Sequence, residues 1–269
     1  MKKLAALSCA FMLCLLAACN GDSGEALDPS SQNLPSLVVS SSPEIQPSTT
    51  VSSDPECLWE SAKLIQAGDG EAVAVMEEGT LVAFALPEKI SFEPDLGDQL
   101  KPGMTVDVAY DGRMTQSDPG QINPEELRVK AYDSGLISLY YQMLEDLYSE
   151  DASELGGTCA YFGFDLTGLE GLTSPEQQAL GWAFATAHNS APLYGTIQEL
   201  GEQGYIDLED LFWEDGLHFE IKASDVSEKR FTLECTRWKG GLGASGYKVA
   251  VEKKDGIWTA AEPSEFWIS

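Results

Sequence analysis

Basic residues are scarce in this chain, and one long stretch has none. The 269 residues include 16 Lys and Arg against 44 Asp and Glu, a formal net charge of −28 at pH 7. No Lys or Arg occurs between Lys3 and Lys63. Such an acidic chain repels nucleic-acid phosphates and anionic lipid, and it favours divalent cations or cationic partners. We therefore predict no nucleic-acid partner.

Cysteine and histidine are too few for several kinds of site. Beyond the N-terminal 19 residues the only cysteines are Cys57, Cys159 and Cys235, without a C-x-x-C pair, which excludes a dense disulfide scaffold. His188 and His218 are the only bases that could activate a Ser or Cys nucleophile. By composition, a zinc site could be made of Cys159, Cys235, His188 and His218, but no two of them stand at a local ligand spacing. We predict no catalytic residue, no metal site and no cofactor.

The N-terminal apolar run is too short to span a membrane. Residues 4–15 follow Lys2 and Lys3, and about 12 apolar residues fall well short of the roughly 20 that a spanning helix needs. Leu16-Ala17-Ala18-Cys19 then places small residues before a thiol. This arrangement is typical of a signal peptide over residues 1–18.

The segment that ends at Cys19 resembles the lipobox of bacterial lipoproteins. The resemblance implies diacylglyceryl transfer to the Cys19 thiol, cleavage before it, and a lipid-anchored location on the extracytoplasmic face of the cell membrane. An ordinary secretory signal cut nearby is the alternative. Residues 19–55 are rich in Ser, Pro and Thr and cannot bury a core, so we expect a disordered tether.

Residues 56–132 have the pattern of a small β domain. Residues 71–76 and 80–86 are β-type runs around a Gly79 turn, and a third strand follows at 105–110. Asn123-Pro124 is typical of the start of a helical turn. Together with a last strand over 127–132, these elements predict a small closed or nearly closed barrel.

The run Gly103-Met104-Thr105-Val106-Asp107-Val108, followed by Asp118-Pro119-Gly120, resembles an OB-like domain of unknown function in Firmicute lipoproteins. The resemblance implies an OB-like β-barrel. That family has an aromatic residue before the proline, whereas this chain has Asp118. The basic groove and stacked aromatics that nucleic acid needs are missing here.

Residues 134–269 are expected to form an α+β domain with helices packed on an antiparallel meander. Apolar residues at helical spacing follow Asp133, and Ser174-Pro175 and Thr196 mark two further helix starts. From residue 217 the period becomes two, over runs at 217–222, 229–237, 247–251 and 257–259. Cys235 lies in phase with apolar neighbours, which predicts a buried thiol. Trp238-Lys239-Gly240-Gly241 and the closing K-x-D-G-x-W resemble a C-terminal module of clostridial lipoproteins.

Tryptophans are the candidate ligand-facing residues of this domain. Trp213 and Trp238 flank the strands at 217–222 and 229–237, where a cleft would expose them beside Glu214 and Asp215. We therefore predict a non-enzymatic binding or interaction protein, with a small-molecule, glycan or protein ligand. The alternative is a cell-wall or extracellular hydrolase that uses acidic residues of this domain.

Overall fold

The computed structural model describes residues 57–149 and 159–269. The predicted signal peptide (1–18), the tether (19–55) and the lipidation site Cys19 lie outside these ranges. The described chain is mostly β with few helices, and its strands form two seven-stranded sheets. No helix within these ranges is long and apolar enough to cross a membrane. Both described ranges belong to one compact unit.

The first sheet is built around a long central strand. Its order is β4-β7-β5-β1-β2-β3-β6, and β1 pairs antiparallel with β2 on one side and β5 on the other. Asp69 and Gly70 both have positive φ, as a two-residue hairpin turn between β1 and β2 requires. The strands are β1 Leu58–Gly68, β2 Glu71–Met76, β3 Leu81–Ala85, β4 Lys89–Phe92, β5 Met104–Tyr110, β6 Gly120–Gln121 and β7 Glu126–Tyr132.

This sheet is open, so the closed barrel predicted from the sequence is not formed. Among the described residues β4 pairs with β7 and β6 with β3, and no ladder joins the two edges. Pro87 lacks an amide hydrogen and lies between β3 and β4, so one continuous hydrogen-bonded strand cannot cross that gap. The helical turn predicted at Asn123 is also wrong, because the Glu125 amide donates to the Ala109 carbonyl and leads straight into β7.

The second sheet is mixed and not a purely antiparallel meander. Strands β10 to β13 pair antiparallel in chain order, as predicted, but β8 joins β10 and β9 joins β8 in parallel. The parallel β8–β9 pair needs a crossover, which α2 supplies. The elements are α1 Leu136–Ser149, β8 Tyr161–Gly168, α2 Ser174–Ala187, β9 Ala191–Tyr194, α3 Ile197–Glu202, β10 Gly216–Ser227, β11 Arg230–Trp238, β12 Ala244–Lys254, β13 Ile257–Ala260 and β14 Ser264–Ile268.

Helices α1 and α2 contribute to the main core with one face of this sheet. Phe164 stacks on Phe219 with ring centroids 5.7 Å apart, and the Cys235 side chain is buried as predicted. Helix α2 begins one residue earlier than the sequence indicated: Thr173 is the N-cap, and its amide donates to Glu176 at 2.7 Å. The helical stripe predicted for α1 is buried at Leu136, Tyr140, Met143, Leu144 and Leu147.

The two sheets also contact each other through α2. Ile65 and Val75 of the first sheet belong to the same apolar cluster as the helices. Lys63 Nζ lies 4.0 Å from Glu176 Oε1 at the start of α2. The first sheet keeps its own core as well, in which Val106 is fully buried.

Candidate functional site

The outer face of the second sheet, opposite α1 and α2, carries a small second core. Trp213 and Trp238 lie in it together, packed with Leu200, Ile206 and Ala244. Their exposed fractions are 2% and 9%. The expectation that a cleft exposes these two indoles is therefore wrong.

Glycine is the physical reason why Trp213 lies flat on the sheet. A Cβ at position 216 would overlap the indole ring of Trp213, so only glycine there lets the ring reach the backbone. A Cβ at Gly163 would likewise stand 2.8 Å from Leu200 Cδ1 and 2.9 Å from His218 Cδ2. Because positions 163 and 216 carry no side chain, the Trp213 ring packs directly against the backbone of the sheet.

His218 is buried in the same layer. Its Nε2 lies 2.9 Å from the carbonyl oxygen of Gly195, and burial lowers the pKa of His218 below its ordinary value, against the opposing effects of Gly195, Glu220 and Asp165. A neutral ring with the proton on Nε2 satisfies this geometry, so we assign that tautomer. His218 therefore ties β10 to the turn before α3.

His188 occupies the C-cap of α2. Its Nε2 lies 3.2 Å from Glu145 Oε1, and its ring centroid is 4.3 Å from that of Tyr148. Among the described residues no group of three or more His, Cys, Asp or Glu side chains could hold a metal ion.

Residues 207–212 form a hydrogen-bonded turn next to this second core. The amides of Asp207 and Phe212 each donate to the other residue's carbonyl at 3.2 Å. The Asp207 carboxylate also accepts from the amides of Glu209 and Asp210, at 2.8 and 3.0 Å. Leu211 has φ +48°, a left-handed conformation that a non-glycine residue seldom adopts. The turn is therefore held in one shape by its own hydrogen bonds.

The neighbouring loop at 239–243 braces the turn from the side. The Gly241 amide donates to the Leu211 carbonyl at 2.8 Å, and the Trp213 amide donates to the Lys239 carbonyl at 2.9 Å. A Cβ at Gly240 would stand only 3.0 Å from Phe212 Cδ2, so the two segments are in close contact. Turn and loop form one rigid unit on top of the buried tryptophans.

This unit presents large apolar side chains to solvent. Leu211 is 50% exposed, Phe212 48% and Leu242 95%. Exposed carboxylates surround them in the chain, including the predicted residues Glu214 and Asp215. We call this surface the acidic-rimmed tip; it consists of Leu211, Phe212 and Leu242 with the carboxylates of Asp207, Glu209, Asp210, Glu214 and Asp215.

The structure contradicts the expected exposure of Trp213 and Trp238 and agrees with that of Glu214 and Asp215. Glu214 and Asp215 are exposed at the rim, whereas Trp213 and Trp238 are the base beneath it. The Leu211-Phe212 pair was missed, although it stands with Trp213 in a run of three large apolar residues between two acidic pairs. Leu211 and Phe212 lie in no stretch with helical or strand periodicity, so a search for periodic apolar residues does not detect them.

The tip presents apolar side chains and carboxylates to solvent. A glycosidase needs one carboxylic acid sheltered in an apolar pocket, and both Glu214 and Asp215 are open to solvent. Comparison with known proteins adds no assignment: no family model matches the chain, and no curated protein matches it significantly. The interpretation of the site therefore rests on its geometry.

Proposed function

We propose that this is a lipid-anchored, non-enzymatic envelope protein that uses the acidic-rimmed tip to bind a protein partner. The observation that carries the proposal is the exposure of Leu211 and Phe212, adjacent in sequence, on a turn braced from two sides. Exposed clusters of large apolar residues rimmed by polar groups are characteristic of interaction sites. A rigid turn also lowers the entropy cost of binding, because its conformation is set beforehand.

Stability alone does not account for this arrangement. Full burial of a Leu or Phe side chain contributes about 1.5–3 kcal/mol, and at both half-exposed positions the fold leaves roughly half of this free energy unused. The left-handed backbone at Leu211 costs a further 1–3 kcal/mol or so, a kind of strain that clusters at functional sites. A partner that covers both side chains would recover the burial free energy.

The charge of the rim specifies the partner's chemistry. Five exposed carboxylates lie within four residues of Leu211 or Phe212 in the chain, and the whole chain has a formal charge of −28. A complementary surface has an apolar pocket bordered by Lys or Arg side chains. Long-range attraction between the two surfaces accelerates association and weakens as salt is added.

We also propose an OB-like arrangement for the first sheet. Its order β3-β2-β1-β5-β7, with β4 continuing from β3 onto the far side of β7, supports an OB-like arrangement interrupted at Pro87. The helices on the second sheet support the α+β description of residues 134–269. In this view both domains are carried on the tether of residues 19–55.

Replacement of Cys19 tests the anchor. The Cys19→Ala variant is expected to leave the membrane fraction or to accumulate unprocessed, because no thiol remains to accept the diacylglyceryl group. Fractionation with mass analysis of the N-terminus measures both effects. A matched Cys57→Ala variant should behave as the parent chain does. Normal processing and full membrane retention of Cys19→Ala would contradict the proposed anchor.

A photo-reactive phenylalanine analogue at position 212 tests the tip in intact cells. We expect a discrete protein adduct that is absent when the analogue replaces Val226, an equally exposed apolar residue about 30 Å further along β10. The captured partner, once purified, should bind the Leu211→Ser, Phe212→Ser variant at least tenfold more weakly, because central apolar contacts contribute about 2 kcal/mol or more at interfaces.

Two outcomes would overturn this function. The first is equal cross-linking at positions 212 and 226, which would mean that the tip has no specific partner. The second is turnover of a muropeptide or glycan by the full chain that Glu214→Gln abolishes, which would establish the hydrolase instead. A fall in association rate with added salt for the parent chain, but not for a Glu214→Gln, Asp215→Asn variant, would support the role of the rim.

A further inference from the structure

A groove lies between the first sheet and α2, on the side of the molecule formed by the β2–β3 hairpin. It has a volume of about 310 Å³. Trp182 of α2 and Tyr194 of β9 line one wall, and Leu81 and Asp118 come from the first sheet. This volume is at the lower end of the range of about 300–1,000 Å³ for small-molecule sites. The groove is separate from the acidic-rimmed tip.

The aromatic wall is held in a defined position. Gly181 lies inside α2, where glycine costs about 1 kcal/mol relative to alanine. A Cβ at Gly181 would stand 3.1 Å from Tyr194 Cε1, so the missing methyl group makes room for the tyrosine ring. The Tyr194 hydroxyl donates to the Gln178 carbonyl at 2.7 Å, which fixes the ring while 37% of the residue stays exposed.

The opposite wall is fixed as well. Gly79 at the tip of the β2–β3 hairpin has φ +95°, and a Cβ there would stand 3.0 Å from Pro175 Cγ. The hairpin therefore rests directly on the first turn of α2. The Lys63–Glu176 ion pair spans the same contact. Close contacts at Gly181 on one side and at Gly79 on the other therefore set the width of the groove.

The electrostatics of the groove favour a positive charge. Asp118 is its only ionisable acid or base other than Tyr194, and no Lys or Arg lines it. Within the described ranges no hydrogen bond or ion pair engages the Asp118 carboxylate. Asp118 and Tyr194 line the same groove. Burial, and secondarily the charge of Asp118, raises the pKa of Tyr194. Aromatic faces add negative potential of their own.

We infer that this groove binds a small organic cation, an ammonium group placed against the Trp182 and Tyr194 rings with Asp118 as its counter-ion. A neutral sugar fits the lining less well, because sugars need several converging polar groups and Gln178 is the only side-chain amide present. The apolar side chains Leu81 and Pro192 suit the methyl or methylene groups of such a cation. The assignment is independent of the protein partner proposed for the tip.

Saturation-transfer NMR of the full chain with choline tests this site. The neutral isostere 3,3-dimethylbutan-1-ol is the matched control, because it has the same shape without the charge. Saturable transfer to the choline methyl groups is expected, with at least fivefold weaker binding of the isostere. Equal binding of the two compounds, or no saturable transfer from choline, would overturn the assignment.

Variants locate the binding within the groove. Asp118→Asn should weaken choline binding about threefold to fivefold, as expected for one exposed ion pair. Tyr194→Leu should weaken it about fivefold or more, while Tyr194→Phe keeps the ring and most of the affinity. Glu228→Gln removes an exposed charge from the distant β10–β11 turn and should change nothing. Because Asp118 is exposed, its variant remains informative even if Tyr194→Leu does not fold, and unchanged binding by Asp118→Asn would contradict the inferred site.

Discussion

The Trp213→Ala variant is expected to lose about 3–5 kcal/mol of the free energy of unfolding, which is typical of a fully buried aromatic side chain replaced by alanine. Trp213 is 2% exposed and packs on Gly216, Leu200 and Trp238. Removal of the indole leaves a cavity that the sheet backbone cannot fill. Urea unfolding followed by far-UV circular dichroism measures the change.

Trp267→Ala is the matched control for this substitution. Trp267 packs on Gly246 but is 44% exposed on the edge strand β14, so we expect a smaller loss, of about 1–2 kcal/mol. If Trp213 faced a ligand, its alanine variant would unfold at nearly the parent urea concentration and lose binding alone. Such a result would restore the exposure that the sequence suggested and contradict the packing role.

The Gly216→Ala variant is expected to lose about 1–3 kcal/mol, because the added methyl group overpacks a filled site. The new Cβ would overlap the Trp213 ring, and Trp213 is held by neighbours on its other side. Gly68→Ala is the control, since a Cβ there meets nothing within 4 Å. Equal midpoints for the two glycine variants in urea would show that position 216 has room to spare.

The two substitutions should not be additive. With Trp213→Ala already present, the methyl group at position 216 enters the space that the indole has vacated. The double variant should therefore be more stable than the sum of the single effects predicts, by about 0.5–3 kcal/mol, the range for residues in direct contact. Strict additivity would mean that the ring does not lie on Gly216.

These variants also separate folding from binding at the tip. The Trp213 indole packs with Trp238 and Ala244, which flank the 239–243 loop, so its loss removes the packing beneath both segments of the tip. Trp213→Ala should therefore lower stability and partner binding together. Leu211→Ser and Phe212→Ser remove exposed side chains, and they should lower binding while the unfolding midpoint changes little.

Local patterns in the sequence were sufficient for most helices and strands. Alternation of apolar residues located β10, β11 and β12, because a half-buried strand must turn every second side chain inward. The Thr196–Glu199 capping box located the start of α3, since it depends on neighbours three residues apart. The stripe of α1 is buried as its spacing indicated.

Pairing between distant segments could not be read in the same way. Nothing in the residues of β8 distinguishes a parallel from an antiparallel neighbour, and the choice follows from the crossover through α2. The open edge of the first sheet depends on where the chain passes after Pro87. Both features are decided by the path of the whole chain, which local periodicity does not contain.

The sequence by itself determined the acidic character of the chain and the periods of most of its strands and helices. Only the tertiary structure decided that Trp213 points into the molecule while Leu211 and Phe212 point out. The physical reason is that the direction of each side chain follows from contacts with residues far along the chain. The missing side chains of Gly163 and Gly240 let Leu200 and Phe212 approach the backbone closely. This close approach exists only once the chain has folded.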